Sequence, residues 1–230
     1  MSFVSVVIPA LNEEEPIGDV VREVTTTRIP AEVIVVDNGS QDQTAEKARA
    51  AGARIVTTSR GYGRACAAGV AAVSPESEIV VFLDGDGSDC PEFMPALVEP
   101  IARGSHDLVI GSRTRGQREP GSMNAQQILA GRLAGFLTRV LYGVRYTDMC
   151  PFRAIRRASL VELNMREKTY GWNLEMQMKA ARAGLRILEV PVNHRCRAGG
   201  VSKVSGTLRG TFVAGFRIIV TFLRIAARSG

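Results

Sequence analysis

The stretch Ile79-Val80-Val81-Phe82-Leu83-Asp84-Gly85-Asp86-Gly87-Ser88 constrains this chain more than any other. Its apolar half is continuous rather than alternating, which suits a strand buried on both faces of a parallel sheet. It ends abruptly in two carboxylates held one residue apart between glycines. Open sheets of that kind bind ligands beyond the carboxyl ends of their strands, so Asp84 and Asp86 would stand at a ligand edge. A hard divalent ion takes one or two carboxylates together with substrate phosphate oxygens. Taken alone, Asp84-Gly85 and Asp86-Gly87 read more readily as turn formers ahead of a helix than as ligands.

The flanking sequence repeats the pattern. Residues 4–8 and 33–36 are β-rich apolar runs, and the second ends at Asp37. Between them, residues 14–26 carry Ile17, Val20, Val21 and Val24 at helical spacing. A helix is expected over 41–51, with Ser40 and Gln43 as a capping box and Gly52 as its stop. Residues 54–57 and 108–110 read as further strands, 63–73 as a helix, and Pro91 opens a helix reaching about residue 103. Repeated strand–helix units of this length predict an α/β fold, a doubly wound, mostly parallel sheet with helices on both faces.

The second half differs. Residues 113–124 are rich in Gly, Arg and Ser without apolar period, and read as a mobile loop beside the site. Helices are expected at 125–142, 157–163 and 174–183, a strand at 185–192, and a basic, glycine-rich stretch at 193–206. Residues 207–227 predict a final amphipathic helix of roughly 30 Å at about 1.5 Å per residue. Arg209, Arg217 and Arg224 share one arc of it beside Phe212, Phe216, Ile219 and Leu223. Three arginines make a membrane-spanning helix costly, so an interfacial helix or a packed one is expected.

A chain of 230 residues accommodates one large α/β domain or a domain with an appendage. Cys66, Cys90, Cys150 and Cys196 lie far apart without a Cys-x-x-Cys pair, which predicts reduced thiols in a cytosolic protein. Two histidines, His106 and His194, are too few for a histidine-based metal site. Met1-Ser2-Phe3-Val4 enters a strand directly, so no signal peptide is expected. The net charge of +6 with abundant arginine suits phosphate-bearing ligands or an anionic surface. Helix-turn-helix spacing, zinc fingers and RNA-binding signatures are missing from the sequence, so nucleic acid is not an expected partner.

Polar groups recur at the strand ends: Pro9 to Glu13, then Asp37-Asn38, then Asp84 to Asp86, then Gly111-Ser112-Arg113. A parallel sheet gathers these onto one edge. The ordered segments Val6-Val7-Ile8-Pro9-Ala10-Leu11-Asn12-Glu13-Glu14, Val35-Val36-Asp37-Asn38-Gly39-Ser40-Gln41-Asp42-Gln43-Thr44, Leu83-Asp84-Gly85-Asp86-Gly87-Ser88 and Ile110-Gly111-Ser112-Arg113 resemble family 2 glycosyltransferases of the GT-A fold. Within that family the chain is most similar to the dolichyl- and polyprenyl-phosphate sugar synthases, over almost its whole length. The resemblance implies a glycosyltransferase domain at 1–206, divided into a nucleotide-binding half (1–112) and an acceptor half (113–206), followed by the helix at 207–230.

The resemblance also implies roles. Pro9, Ala10, Leu11, Glu13, Asp37, Asp84, Gly85 and Asp86 would bind the nucleotide of a UDP- or GDP-linked sugar. Asp84 and Asp86 would hold Mg2+ or Mn2+, with Asp84 nearer the ribose and Asp86 on the cation that bridges the diphosphate. Gly61-Tyr62-Gly63 departs from the Gly-Lys-Gly common in the family, which leaves Arg60 or Arg64 to supply charge there. Ser88 stands where some relatives place glutamine. Arg195-Cys196-Arg197-Ala198-Gly199-Gly200-Val201-Ser202-Lys203 resembles the Arg-x-x-Gly-x-Ser-Lys stretch of the polyprenyl-phosphate branch. There Arg197, Ser202 and Lys203 would meet phosphate together with Arg113, as guanidinium and ammonium groups suit.

Trp172 and Glu175 fall where family members acting on hydroxyls keep their acceptor contact and catalytic acid. A hydroxyl acceptor needs a general base, whereas a phosphate acceptor is already anionic. Glu175 is therefore either a base or a helix N-terminal acid. Asp148 and Arg153 are expected on the acceptor side. The implied activity is a metal-dependent, inverting transfer from a nucleotide-diphosphate sugar to a polyprenyl phosphate, catalysed by Asp86, Arg113 and, for a hydroxyl acceptor, Glu175. A peripheral position on the inner membrane face through residues 207–227 follows from the same resemblance, and a homo-oligomer stays open. The rival readings are the same chemistry on a hydroxyl acceptor, nucleotidyl transfer, and a non-catalytic nucleotide-binding protein.

Overall fold

A computed structural model of the protein describes residues 2–199, 220 and 222–224. The first half alternates as the apolar runs require: β1 (Val4–Ala10), α1 (Ile17–Thr26), β2 (Glu32–Asp37), α2 (Thr44–Ala50), β3 (Arg54–Thr57), α3 (Tyr62–Ala72) and β4 (Ile79–Phe82). A 3-10 turn, Pro91–Phe93, leads into α4 (Met94–Ala102), and β5 (Leu108–Ser112) follows. The second half comprises α5 (Ala125–Tyr142), β6 (Arg153–Arg156), α6 (Arg157–Glu162), α7 (Trp172–Arg182) and β7 (Ile187–Pro191). β1 and β4 are buried along their whole length, the consequence of apolar residues at consecutive positions with helices on both faces.

One seven-stranded sheet has the order β3-β2-β1-β4-β6-β5-β7. The chain leaves β1 to build β2 and β3 on one side, then returns to lay β4 on the other. All of these pairs are parallel. The strand order therefore reverses between β1 and β4, and the crevice beyond their carboxyl ends is where such sheets bind ligands.

The sheet departs from the expected pattern at β6, which runs antiparallel between β4 and β5. Its sequence, Arg-Ala-Ile-Arg, carries no strand signal, because two arginines flank a single large apolar residue. Tertiary packing overrides that composition. Arg153 is fully buried, and its guanidinium donates to the carbonyls of Cys150 and Asn173. β7 then pairs parallel with β5 at the far edge.

Two further expectations are corrected. α2 starts at Thr44, with Gln43 at its N-cap and no side-chain cap, so the Ser40–Gln43 box does not form. A capping box does exist at α5, where Asn124 and Gln127 exchange side-chain and backbone bonds. Of the segment 207–227, the described residues Val220 and Phe222 to Arg224 are helical. Phe222 packs with Ala134, Leu174 and Met178, and Arg224 pairs with Glu167. The remainder of that segment lies outside the described residues. Among the described residues no helix is long and apolar enough to cross a membrane.

The far edge of the sheet is tied by Asp107, just ahead of β5. Its carboxylate accepts from Arg186 Nη2 at 2.7 Å and Nε at 2.9 Å, and lies 3.4 Å from Arg156 Nε. The Arg186 hydrogen bonds hold the Asp107 carboxyl well below the usual range, despite some opposing burial. A carboxyl depressed in the folded state stabilises above its unfolded pKa, and that stability is lost as pH falls toward the folded value. Asp107→Asn should therefore lower the thermal unfolding midpoint near neutral pH, by a few degrees at most because the Arg186 guanidinium is exposed. The gap to the parent protein should narrow progressively as pH is lowered below about 4 toward the depressed folded value, measured by thermal unfolding of both proteins across that range.

Candidate active site

The loops after β1 and β2 are laced together at the crevice. Asn12 takes a left-handed conformation, φ 52°, which asparagine tolerates better than most residues. Its backbone N–H donates to Ser40 Oγ at 3.0 Å, and its side-chain oxygen accepts from Gln41 N–H at 2.9 Å. Glu13 N–H donates to Thr44 Oγ1 at 2.9 Å. Ser40 thus serves the β1 loop rather than a helix cap, and Asp42 takes over the start of α2 by accepting from Thr44 N–H at 3.1 Å. Asp37 lies opposite Ala10 in the ladder, and its Oδ1 accepts from Ser40 N–H at 2.9 Å. Asn38 donates to the Ala10 carbonyl and accepts from Gly61 N–H at 2.7 Å, joining a third segment to the same edge. Pro9, Ala10, Leu11, Glu13 and Asp37 therefore all sit at the rim formed by β1 and β2.

The acidic segment after β4 completes this edge. Asp84 accepts from the Tyr62 hydroxyl at 3.0 Å, and its own backbone N–H donates to Asp89 Oδ2 at 3.0 Å. Gly85 is pressed against β1 and α1: a Cβ there would lie 3.1 Å from Ile17 and 3.3 Å from Ala10. Asp86 is buried, and its Oδ1 accepts both Ser88 N–H at 2.9 Å and Ser88 Oγ–H at 2.6 Å. Ser88 thereby orients the aspartate that precedes it. Tyr62, at the position where the family's lysine is expected, brings a neutral donor to Asp84 instead of a charge.

A strap following β7 closes over this segment. Arg195 N–H donates to the Ser88 carbonyl at 2.9 Å, and Ala198 N–H to the Asp86 carbonyl at 3.2 Å. The Arg197 guanidinium reaches Glu13 Oε1 at 2.6 Å and Asp86 Oδ2 at 3.2 Å. His194 is buried, with Nδ1 3.9 Å from Asp89 Oδ1. Neither of those two atoms has a hydrogen-bond partner among the described residues. The loop at 113–124, expected to be mobile, is tied to the same strap. Glu119 N–H donates to the His194 carbonyl, His194 N–H to the Gln117 carbonyl, and Cys196 N–H to Glu119 Oε2. Gly116 also lies so close to Val192 that a Cβ there would clash with its carbonyl.

The second half of the chain brings other candidates to different places. Arg113 is buried against Asp148 in a bidentate pair, Nε to Oδ2 and Nη2 to Oδ1, each at 2.8 Å, so its guanidinium is committed to a carboxylate. Burial alone would raise the Asp148 carboxyl, but hydrogen bonds and charge from Arg113 hold it below the usual range. Trp172 is not presented to an acceptor. It is buried and meets Phe82 of β4 edge-on with ring centroids 6.4 Å apart. Glu175 is buried too, and its two oxygens accept backbone N–H groups of Arg166 and Glu167 at 2.7 to 3.0 Å, while Lys179 Nζ lies 2.9 Å away. That geometry makes Glu175 a clamp on the segment before α7 and leaves it badly placed as a base. Ser202 and Lys203 lie outside the described residues.

The electrostatics of the crevice favour a cation. Burial, then the charges of Asp86 and Asp89, push the Asp84 carboxyl well above the carboxylate range. Asp89 is raised to about 7, chiefly by burial. His194 is pushed down to about 4 by burial and then by Arg113, so it is neutral at ordinary pH. Among the described residues no three such side chains already form a metal-ligand cluster. Still, the donor set suits a hard divalent ion, because excess negative charge is concentrated here and Asp86 Oδ2 already binds a guanidinium. Asp84 and Asp86 are the residues that would hold it. Sequence reasoning missed Asp89 and His194. Their signal was faint: one aspartate beyond a glycine, and one histidine after a distant strand.

Comparison with known proteins identifies the family. The sequence profile described as "Glycosyl transferase family 2" matches residues 5–163. A dolichyl-phosphate hexose transferase of Haloferax volcanii is 38% identical over 199 residues, covering 85% of this chain and 84% of that protein. An undecaprenyl-phosphate mannosyltransferase of Micrococcus luteus is 34% identical over 238 residues, covering 96% and 94%. A crystal structure of glucosyl-3-phosphoglycerate synthase from Mycobacterium tuberculosis, with Mn2+, UDP-glucose and phosphoglyceric acid, superimposes with a TM-score of 0.77 at 28% identity, covering 98% of this chain and 80% of that one.

The buried Arg113–Asp148 pair gives a direct test of how the acceptor half is held. Asp148→Ala leaves a guanidinium buried without its carboxylate, a change that costs about 3–5 kcal/mol. Urea unfolding of the variant should show a loss of that size. A loss within experimental error would mean that Arg113 reorients into solvent.

Proposed function

The chain belongs to glycosyl transferase family 2, and from that premise we propose that it moves a sugar from a nucleotide-diphosphate sugar to a polyprenyl phosphate, with inversion at the anomeric carbon. The observation that carries this reading is the convergence of Glu13, Asp84, Asp86 and Arg197 on the crevice between β1 and β4. The rim formed by Pro9, Ala10, Leu11, Glu13 and Asp37 would take the nucleoside, with Asp37 Oδ2 as the acceptor for a base N–H. Asp84 and Gly85 would lie under the ribose side of the donor. A divalent ion, Mg2+ or Mn2+, held at Asp84 and Asp86 would neutralise charge on the departing diphosphate.

In the reaction an acceptor oxygen attacks the anomeric carbon opposite the diphosphate. The new carbon–oxygen bond forms as the bond to the diphosphate oxygen breaks, and the electron pair leaves with the diphosphate. A phosphate acceptor carries its own negative charge and requires no base. Two observations support such an acceptor. Glu175 is occupied by backbone N–H groups, and the strap at 194–199 supplies Arg197 beside the diphosphate site. The two relatives above, named for dolichyl phosphate and undecaprenyl phosphate, support it independently. Arg113 would contribute from behind, as the buried partner of Asp148 that fixes the floor of the acceptor side. Ser202 and Lys203 would extend the phosphate contacts, and residues 207–227 would rest on the membrane surface that holds a polyprenyl chain.

A nucleotide-sugar screen by thermal shift with Mn2+ or Mg2+, followed by transfer of labelled sugar into solvent-extractable lipid, tests the reading. Asp86→Ala should retain the parent's circular dichroism and lose transfer by at least about 1,000-fold, in line with removal of a principal electrostatic stabiliser. Undiminished turnover in that variant would overturn the mechanism. Glu175→Gln separates the two acceptor chemistries. Transfer within about threefold of the parent is expected for lipid phosphate, and a loss of about 100-fold or more would point to a hydroxyl acceptor with Glu175 as base.

A further inference from the structure

The strap after β7 places a positive charge where the proposed donor site needs one. Asp86 Oδ1 is taken by two donors from Ser88, which leaves Oδ2 as the oxygen facing the crevice. Arg197 Nη1 occupies it at 3.2 Å, while Nη2 of the same guanidinium holds Glu13 Oε1 at 2.6 Å. One side chain thus bridges the ends of β1 and β4, the two strands that flank the crevice. A divalent ion on Asp86 Oδ2 would sit about 2.0–2.6 Å from that oxygen. Arg197 and the ion would then share one carboxylate oxygen in a partly desolvated crevice, where like charges repel strongly.

The construction of the strap permits exchange. Arg195 is its fixed end, bonded through its side chain to Glu23 at 2.7 Å and to the Asp89 carbonyl at 3.0 Å. Arg197, by contrast, is held through its guanidinium by the Glu13 and Asp86 carboxylates, the Asp86 contact being the longer at 3.2 Å, so a competing cation at Asp86 removes part of what holds it. Gly199 runs close to the loop after β1, where a Cβ would fall 2.1 Å from Glu15 Oε2, the flexible end of that side chain.

We propose that Arg197 is the resting counter-ion of Asp86 and Glu13, that a divalent ion entering with the donor displaces it, and that the released guanidinium is then free to hold the acceptor phosphate. Donor loading and acceptor binding are thereby coupled through this one side chain. The inference rests on the metal-dependent reading given above and goes beyond it. That reading requires a cation at Asp86, whereas this one states what the cation must replace.

Mn2+ binding to the full chain without nucleotide, followed by the electron paramagnetic resonance signal of free Mn2+, tests it. Arg197→Ala should bind Mn2+ on the order of tenfold tighter than the parent, and Arg197→Lys should fall between the two. Asp86→Asn in the Arg197→Ala background should remove the gain, which locates the ion. Cys196, the exposed cysteine among three buried ones, reports on the strap. Mn2+ should accelerate its reaction with a thiol reagent in the parent and leave the already fast rate of Arg197→Ala unchanged. The proposal is overturned if Arg197→Ala and Arg197→Lys both bind Mn2+ no tighter than the parent. It is equally overturned if Mn2+ binds the parent without changing Cys196 reactivity. Failure of every variant to bind Mn2+, even with a nucleoside diphosphate added, would remove the metal-dependent reading as well. Tighter binding without sugar transfer to lipid would leave the exchange standing and remove only the acceptor assignment.

Discussion

Three aspartates, Asp84, Asp86 and Asp89, follow one buried strand, and the surrounding structure is organised around the charge they concentrate. Burial makes each negative charge costly, and their mutual repulsion raises the cost further. Each aspartate meets it differently. Asp84 accepts from the Tyr62 hydroxyl, and Asp89 accepts from the Asp84 backbone N–H. Asp86 is satisfied by Ser88 on one oxygen and by Arg197 on the other. The remaining excess of negative charge is what a divalent cation would neutralise in the proposed reaction.

The antiparallel β6 connects this edge to the second half of the chain. Because it lies between β4 and β5, the loop before it carries Asp148 to the end of β5, where Arg113 emerges. The two form a buried pair whose opposite charges cancel, so it adds nothing to the net charge of the crevice. The same loop supplies the Cys150 carbonyl to Arg153, a fully buried guanidinium satisfied by backbone oxygens. Arg113 and Arg153 therefore act as internal framework, and the guanidinium that faces the proposed reaction comes from the strap after β7.

Much of the fold was legible in the residues. Continuous apolar runs at β1, β2 and β4 could only be buried strands, and the helical spacing of Ile17, Val20, Val21 and Val24 corresponds to the buried face of α1. Local pattern failed where partners were distant. Ser40 and Gln43 have the letters of a capping box, yet Ser40 is drawn to Asn12 across the β1 loop. Glu175 and Trp172 have the composition of an acceptor site, yet one clamps backbone and the other fills the core. Arg153–Arg156 has no strand character, and the ladders of β4 and β5 impose it.

The sequence by itself determined the family, the parallel half of the sheet and the carboxylates at its edge, because those depend on periodicity and on order along the chain. Only the tertiary structure decided which polar groups face one another. Asp89 with His194, Arg113 with Asp148, and Arg197 with Glu13 and Asp86 are each joined across long stretches of chain. Spacing carries no trace of such pairs. They arise when the strand order reverses between β1 and β4 and the segment after β7 folds back over the opening.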